Sequence, residues 1–380
     1  MKKKLIIFAM HPIPYLSPVF REIYKINKST IVFFLDTLGF KKHYNPYFKT
    51  TLIENKKIIS GYENFFLKNL SKKVITGFFS RINFDVFRII KKKENKYILI
   101  NGYQTFSSWL ILLGSIIFRK KIIFKGETIR EKRNIFKTML IKIFFLKIEF
   151  FLYSCSGNLK FYKSLKIPNK KLISFPCCVD YDSFLKYKKK YISQRDQIRK
   201  KLGYKKKTKV ILFVSKFIRR KNPGEIIKCI KLMNSNDNIE LLFVGGGPEE
   251  KNMKLECKKN NIKAKFIGFL SQKKLGLVYL ISDVYINTSY YDASPKTLNE
   301  ALCFDIPIIS PIKNIGQAKD IILDGKNGYK YQQGNFNDLK KKIRKSFKLN
   351  RNILIKTNKL LIKKTHPIVG ASNLLNNINL

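Results

Sequence analysis

Short apolar runs rich in β-branched residues recur along the chain, each followed by a helix-sized interval. This alternation predicts parallel α/β sheets. In the first half the runs are residues 5–10, 31–35, 97–100, 121–124 and 152–155. The stretch 186–209 breaks the series: it is dense in lysine, holds Gly203 and has almost no apolar run. It is assigned to a domain linker and a helix leading onward. The series resumes at 210–214, 239–244, 265–268, 284–287 and 307–310. Two successive doubly wound domains are the simplest architecture, and in such sheets ligands sit at the carboxyl ends of the strands. Residues 97–118 are uncharged for 22 positions, long enough to suggest a transmembrane span. Asn101-Gly102 and Gln104 divide them instead into a strand and a helix over about 106–118. Met1-Lys2-Lys3-Lys4 and the six apolar residues that follow imitate a signal peptide. The run stops at His11-Pro12, short of the roughly 7–15 residues required, and reads as a first buried strand.

Composition sharpens this picture. The 380 residues carry 77 Lys and Arg against 25 Asp and Glu, a formal charge of +52. Hydrophobic residues at 45% and aromatics at 13% exclude a disordered basic tail. Only twelve of the basic residues are Arg. The abundance of Lys, Asn, Ile, Phe and Tyr is also what A/T-rich codons produce, so codon bias competes with function as the source of the charge. Six cysteines (155, 177, 178, 229, 257 and 303) show no C-x-x-C spacing. Zinc is therefore not expected, and the thiols fit buried, inert positions in a reducing cytosol.

Three loops at strand ends carry candidate chemistry. The first, Ser215-Lys216-Phe217-Ile218-Arg219-Arg220-Lys221-Asn222-Pro223, offers two cations that suit the phosphates of a nucleotide diphosphate and the charge growing on its leaving group. A solvated basic loop is the competing reading. The second, Gly245-Gly246-Gly247-Pro248-Glu249-Glu250, is neither G-x-G-x-x-G nor a Walker loop, and its acidic first turn reads mainly as a tight strand-to-helix connection. The third runs from Asn287 to Ala301. A helix is expected to start near Ser294-Pro295, with the backbone N–H groups of residues 295–298 forming a diphosphate seat. Asp292 precedes that helix and Glu300 lies within it, so one carboxylate can meet a sugar while the other accepts from ribose hydroxyls. Solvated helix charges are the alternative.

Taken as an ordered set, these segments resemble the family-four retaining glycosyltransferases of the GT-B fold, the glycosyl transferases of group 1. The family's usual order is Gly-Arg-Leu-x-x-x-Lys-Gly, Val-Gly-x-Gly-Pro, Phe-x-Gly, Ala-Asp-Val, Glu-x(7)-Glu-Ala and Asp-Gly-x-x-Gly. Here the order is Ser215-Lys216-Phe217 with Lys221, Val244 to Pro248, Phe266-Ile267-Gly268, Ser282-Asp283-Val284, Asp292 to Glu300-Ala301, and Asp324-Gly325-Lys326-Asn327-Gly328. The likeness covers about residues 208–345. The first half resembles a subgroup that opens with a His-x-Pro-x-x-Tyr-x-x-Pro-like loop, matched by His11-Pro12-Ile13-Pro14-Tyr15-Leu16-Ser17-Pro18. Gly61-Tyr62, Asn101-Gly102-Tyr103, Lys125-Gly126-Glu127 and Val179-Asp180 match further on.

The resemblance implies an α/β chain of GT-B fold, two Rossmann-like doubly wound domains facing a central cleft. Residues 1–185 would bind the acceptor, with about 363–380 packing back on them, and 186–362 would bind the nucleotide-sugar donor. Lys216 stands where the family has its phosphate-binding Arg, and Lys221 matches its phosphate-binding Lys. Asp292 replaces the first Glu, which contacts the transferred sugar, and these three are the expected catalytic residues. Glu300 matches the ribose-binding Glu. Ser294, Pro295, Lys296, Thr297 and Leu298 supply the helix start, and Gly268, Phe269 and Leu270 the base-binding loop. His11, Tyr15, Tyr103 and Glu127 are the candidates for the acceptor side. Two departures stand out: Lys216 cannot make the bidentate fork of Arg, and Asp292 is one methylene shorter than Glu. None of His11, His43 and His366 falls in 100–130, where many family members carry a His; His43 and His366 are read as solvent-facing.

The implied activity is retaining transfer from a nucleotide-diphosphate sugar to a glycan or lipid-linked acceptor in surface polysaccharide or lipopolysaccharide synthesis. No cofactor or metal is expected, because lysines and a helix terminus take the metal's place. Asp180-Tyr181-Asp182, the one D-x-D, lies far from the donor motifs in sequence. Basic clusters at Lys56-Lys57, Lys72-Lys73, Lys91-Lys92-Lys93 and Arg119-Lys120-Lys121 suit an anionic membrane surface. They suggest a cytoplasmic enzyme held peripherally at the inner face of the plasma membrane. A basic nucleic-acid-binding protein and a catalytically inactive homologue are the alternatives. The first lacks any zinc, helix-turn-helix or RNA-sheet signature, so no nucleic-acid partner is expected.

Overall fold

A computed structural model of the chain describes residues 4–38, 40, 43–45, 50–52, 56–71, 77–130, 134–233 and 237–380. The chain forms two compact units: residues 1–44, 51–179 and 365–380 make the first, and residues 45–50 and 180–364 the second.

In the first unit β1 (Lys4–Ala9), β2 (Thr30–Phe34), β5 (Asn64–Phe66), β6 (Asn95–Asn101), β7 (Lys121–Lys125), β8 (Phe150–Tyr153) and β9 (Leu172–Ser174) form one parallel sheet, ordered β5-β2-β1-β6-β7-β8-β9. The short β3 (His43–Asn45) and β4 (Thr50–Leu52) make a separate two-stranded sheet. β1 is apolar from Leu5 to Ala9 and buried throughout, because helices cover both faces of a parallel sheet. Ile6, Phe8, Ile98, Ile100, Ile122 and Phe124 from its strands meet Phe144, Phe151 and Phe161 in one core. The expected strands all form, within a residue or two at their ends. β5 and β9 are additional, each three residues long and at an edge of the sheet.

The second unit holds β10 (Lys209–Val214), β11 (Ile239–Val244), β12 (Ala264–Phe266), β13 (Val284–Ile286), β14 (Ile308–Pro311) and β15 (Gly328–Tyr331), ordered β12-β11-β10-β13-β14-β15 and parallel throughout. Its core is Ile211, Phe213, Phe243, Ile286 and Ile309 under Ile226, Ile227 and Leu339.

The lysine-dense stretch is not a linker. The units divide between Val179 and Asp180, and 181–201 is folded into helices Tyr181–Tyr191 and Arg195–Lys201. Its lysines face solvent except Lys188, which pairs with the buried Asp305, while Tyr181, Phe184 and Arg199 are buried. Arg195 and Arg199 close on Asp283 at 2.8 and 3.1 Å, and Asp283 also accepts from the Val210 amide at 2.8 Å. Asp283 of the Ser-Asp-Val motif is thus a structural clamp. The Asp324–Gly328 turn is structural too: a Cβ on Gly328 would stand 1.9 Å from the Ile308 carbonyl oxygen.

The helix Pro367–Ile378 belongs to the first unit. It packs on helix Ser17–Ile26, and Asn373 Nδ2 donates to the Ser174 carbonyl at 2.9 Å. His366 is not simply solvent-facing, because its ring nitrogen caps this helix. The side chain of His43 lies outside the described residues, as do Lys72-Lys73. Helix Phe106–Ile117 forms as expected, and no helix among the described residues is long and apolar enough to cross a membrane. All six cysteines are buried thiols.

Candidate functional site

In the second unit the chain leaves β10 toward β11 on one side and reaches β13 on the other. The crevice outside such a switch point is where α/β sheets bind ligands. The loop after β10 enters it with Lys216, then a short 3-10 turn, Arg219–Lys221. Asn222 follows in the left-handed region (φ 47°), where Asn is among the few non-glycine residues tolerated. The Lys-Gly of the resembling motif has glycine at this place, and Asn222 takes a left-handed backbone that glycine adopts readily. The buried Glu225 holds it: one carboxylate oxygen accepts from Asn222 Nδ2 and the other from the Gly334 amide at 2.8 Å. Desolvation raises the Glu225 pKa.

The segment after β13 is fastened to the same loop. Thr288 Oγ1 donates to the carbonyls of Lys221 (3.1 Å) and Asn222 (2.8 Å), and the Tyr290 amide donates to Arg220 O at 2.9 Å. These ties bring Lys221 Nζ into an ion pair with Asp292, both largely buried. Asp292 is fixed further by its backbone, between Asn314 and Gly316. Lys216 is exposed. The protein around it, then Lys221 and Arg220, hold its ammonium pKa below 10.5, as expected for a partly desolvated cation near two others.

The helix is Lys296–Cys303, with Pro295 at its cap position. This narrows the expected amide seat. Pro295 has no N–H, the Ser294 amide donates to Asp292 Oδ1 at 3.2 Å, and the Leu298 amide donates to Pro295 O at 3.1 Å. The amides of Lys296 and Thr297 are outside these contacts. Lys296 Nζ meets Ser294 Oγ at 2.8 Å and Thr297 Oγ1 meets Tyr285 OH at 2.6 Å. Glu300 is buried and accepts from Tyr279 OH at 2.7 Å. Burial pushes its pKa up to about 7, against the hydrogen bond from Tyr279. Tyr279 was invisible to sequence reasoning because it comes from another helix, Gln272–Ile281.

The glycine loop after β11 is built for close backbone approach. A Cβ on Gly245 would stand 1.8 Å from Ser215 O, and one on Gly247 2.5 Å from Phe217 O. Phe217 N donates to Gly246 O and Gly245 N to Gly268 O, both at 2.8 Å. This confirms a tight turn and joins three strand-end loops. Beside it the half-exposed Phe269 lies against Gly246; Leu270 is partly buried.

The sequence pattern described as Glycosyl transferases group 1 matches residues 194–364. The second unit is a group 1 glycosyltransferase domain. Over 146 residues the chain is 29% identical to the α-monoglucosyldiacylglycerol synthase of Acholeplasma laidlawii, covering 37% of this chain and 36% of that one. It spans about a third of the length of the curated relatives it matches. Among solved structures, Anabaena HepE in complex with UDP and glucose matches with TM-score 0.74 over 99% of both chains at 12% identity. The lipopolysaccharide outer core galactosyltransferase WaaB matches with TM-score 0.69 over 100% of this chain and 99% of that one at 15% identity. These likenesses assign the GT-B fold.

Outside the glycosyltransferase domain, the first unit has its own switch point at β1, between β2 and β6. His11 follows β1, Tyr103 follows β6 and Glu127 follows β7, at the carboxyl ends of neighbouring strands. Tyr103 is partly buried against Phe124 and Phe144. Glu127 accepts from the buried Lys125 at 3.0 Å, and the Tyr15 carbonyl accepts from Cys178 Sγ at 3.7 Å.

Proposed function

We propose that this protein is a retaining glycosyltransferase that moves a sugar from a nucleotide-diphosphate sugar to a glycan acceptor, lipid-linked, in surface polysaccharide synthesis. The observation that carries the reading is the grouping of Lys216, Lys221, Asp292, the start of helix Lys296–Cys303 and Glu300 around one switch point. In this reading the diphosphate lies at Lys216, Lys221 and the amides of Lys296 and Thr297, whose positive charge stabilises the leaving group. Asp292, held by Lys221, meets the transferred sugar, and Glu300 accepts from ribose hydroxyls. The base lies at Gly268, Phe269 and Leu270. A departing phosphate oxygen takes the acceptor's proton on the same face, so no separate base is required, and no metal is called for. The relatives' activities, a glycolipid synthase and a lipopolysaccharide galactosyltransferase by name, support a surface glycan or lipid acceptor.

The test is transfer from labelled nucleotide sugars, preceded by a thermal-shift panel of UDP, GDP, ADP and their sugars. Lys221→Ala and Glu300→Ala should each weaken donor binding and lower turnover; unchanged kinetics in both would remove the site. Salt-sensitive DNA retention without nucleotide-sugar binding would favour the nucleic-acid alternative.

Peripheral attachment to the cytoplasmic face of the plasma membrane completes the proposal, and helix Ile135–Phe145 supports it. Ile141, Phe144 and Phe145 bury one face, while Ile135 (77% exposed), Phe136 (73%), Met139 and Ile143, with Leu146 beyond the helix, stand on the opposite one. The exposed Lys137 and Lys142 border that apolar face, a pattern suited to an anionic bilayer surface. A second copy of so basic a chain would be repelled. Ile135→Ser with Phe136→Ser should release the protein from anionic vesicles. Wild-type protein that stays in solution beside such vesicles at low salt would end this part of the proposal.

A further inference from the structure

Three side chains meet at the switch point of the first unit. His11 follows β1, Asp36 follows β2, and Arg81 follows the short turn Phe78–Ser80. The two strand-end segments are fixed to each other, since the Asp36 amide donates to Met10 O at 3.1 Å. Arg81 Nε lies 2.6 Å from Asp36 Oδ2, with the side chains only 5% and 7% exposed. This contact is charge on charge, for neither atom has an aligned hydrogen bond; Asp36 Oδ1 accepts from the Leu38 amide at 2.7 Å. The other end of the guanidinium, NH2, reaches His11 Nδ1 at 3.3 Å.

A guanidinium carries only donors and is not deprotonated in proteins. The acceptor in the His11–Arg81 contact must therefore be Nδ1, which puts the ring's one proton on Nε2. A protonated imidazole would turn an N–H and a positive charge onto Arg81. Burial first, and Arg81 after it, lower the His11 pKa below 6.5, while Asp36 acts in the other direction. These are the two charged groups that face the ring among the described residues.

We propose that His11 is a substrate-facing hydrogen-bond donor of fixed tautomer, its neutral ring presenting Nε2–H to a hydroxyl or phosphoryl oxygen of the acceptor molecule. Arg81 and Asp36 are the positioning residues that hold it so. Its only lone pair is already engaged, so His11 is no general base. The nature of the bound oxygen rests on the glycosyltransferase reading; the tautomer does not.

Full-length protein labelled with 15N at histidine has three imidazoles, and His11→Asn identifies one by its loss. In long-range 1H–15N spectra His11 should keep Nε2 protonated and Nδ1 bare at neutral pH, with a midpoint below the ordinary value near 6.5. Arg81→Gln, with folding checked by circular dichroism, should raise that midpoint. Titration of wild-type His11 near 6.5, or a proton on Nδ1, overturns the proposal. In transfer assays His11→Ala should lower kcat/KM roughly tenfold, the worth of one hydrogen bond, and His11→Asn, which keeps an N–H donor, should recover part of it. Unchanged kcat/KM in His11→Ala would remove His11 from the substrate's path. If no sugar is transferred at all, the functional reading fails, while the spectra still decide the tautomer.

Discussion

Each unit places a cation–carboxylate pair at its switch point, and the two pairs are built differently. Arg81–Asp36 is sealed, with side chains 5% and 7% exposed, and its cation cannot lose its proton. Lys221–Asp292 is more open, at 13% and 14%, and its cation is a point charge on a flexible stem. A sealed pair can only hold neighbours in place. An open lysine can leave its carboxylate for a phosphate when one arrives. On the proposed reading, the same two charges serve as fixed scaffold in one unit and as exchangeable contact in the other.

Four measurements would break or sharpen that contrast, in order of expected size. Arg81→Met leaves Asp36 buried without a counter-charge and should cost about 3–5 kcal/mol of stability in urea unfolding; Asp36→Leu added to it should recover much of the loss. Lys221→Ala should instead leave stability nearly intact and lower kcat/KM by about 100-fold or more. Near-equal stability losses in the two single variants would erase the distinction.

The third concerns the lone carboxylate. Glu300 has its folded pKa up near 7, above the ordinary 4.5, so the folded chain holds an extra proton between those values. Its contribution to stability is complete below about pH 4.5 and is lost as pH rises through 7. Glu300→Gln stays neutral, so its stability relative to wild type should rise between pH 5 and 8, on the order of 2 kcal/mol. Nucleotide-sugar binding to the wild type should tighten over the same range, as ribose hydroxyls favour the ionised acid. Smallest is Lys216→Arg: restoring a fork to an exposed position should change donor KM by no more than about tenfold, and a larger change would show that Lys216 shapes the site.

The parallel sheets were legible because their strands are apolar runs buried on both faces. β5 and β15 were not, since Asn64-Phe65-Phe66 and Gly328-Tyr329-Lys330-Tyr331 mix polar residues into short edge strands. The site was legible as a set of loops but not as a network of contacts. Nothing in the order of residues announces that Lys221 and Asp292, 71 positions apart, are paired, or that Tyr279 covers Glu300. The 186–209 stretch misled because lysines on the outside of helices resemble a linker when Arg195 and Arg199 are read as surface charge. Their burial depends on Asp283, which the sequence places 84 residues after Arg199.

The return of residues 365–380 to the first unit has a consequence for synthesis on the ribosome. Helix Ser17–Ile26 and Phe175 are made early, but the helix that covers them emerges only after the whole of 180–364. Until then the first unit keeps an uncovered apolar face, while the second unit already has its complete sequence. The second unit can therefore finish folding first although it is translated later, and a nascent chain with only residues up to 364 outside the ribosome would hold one mature unit and one waiting for helix Pro367–Ile378.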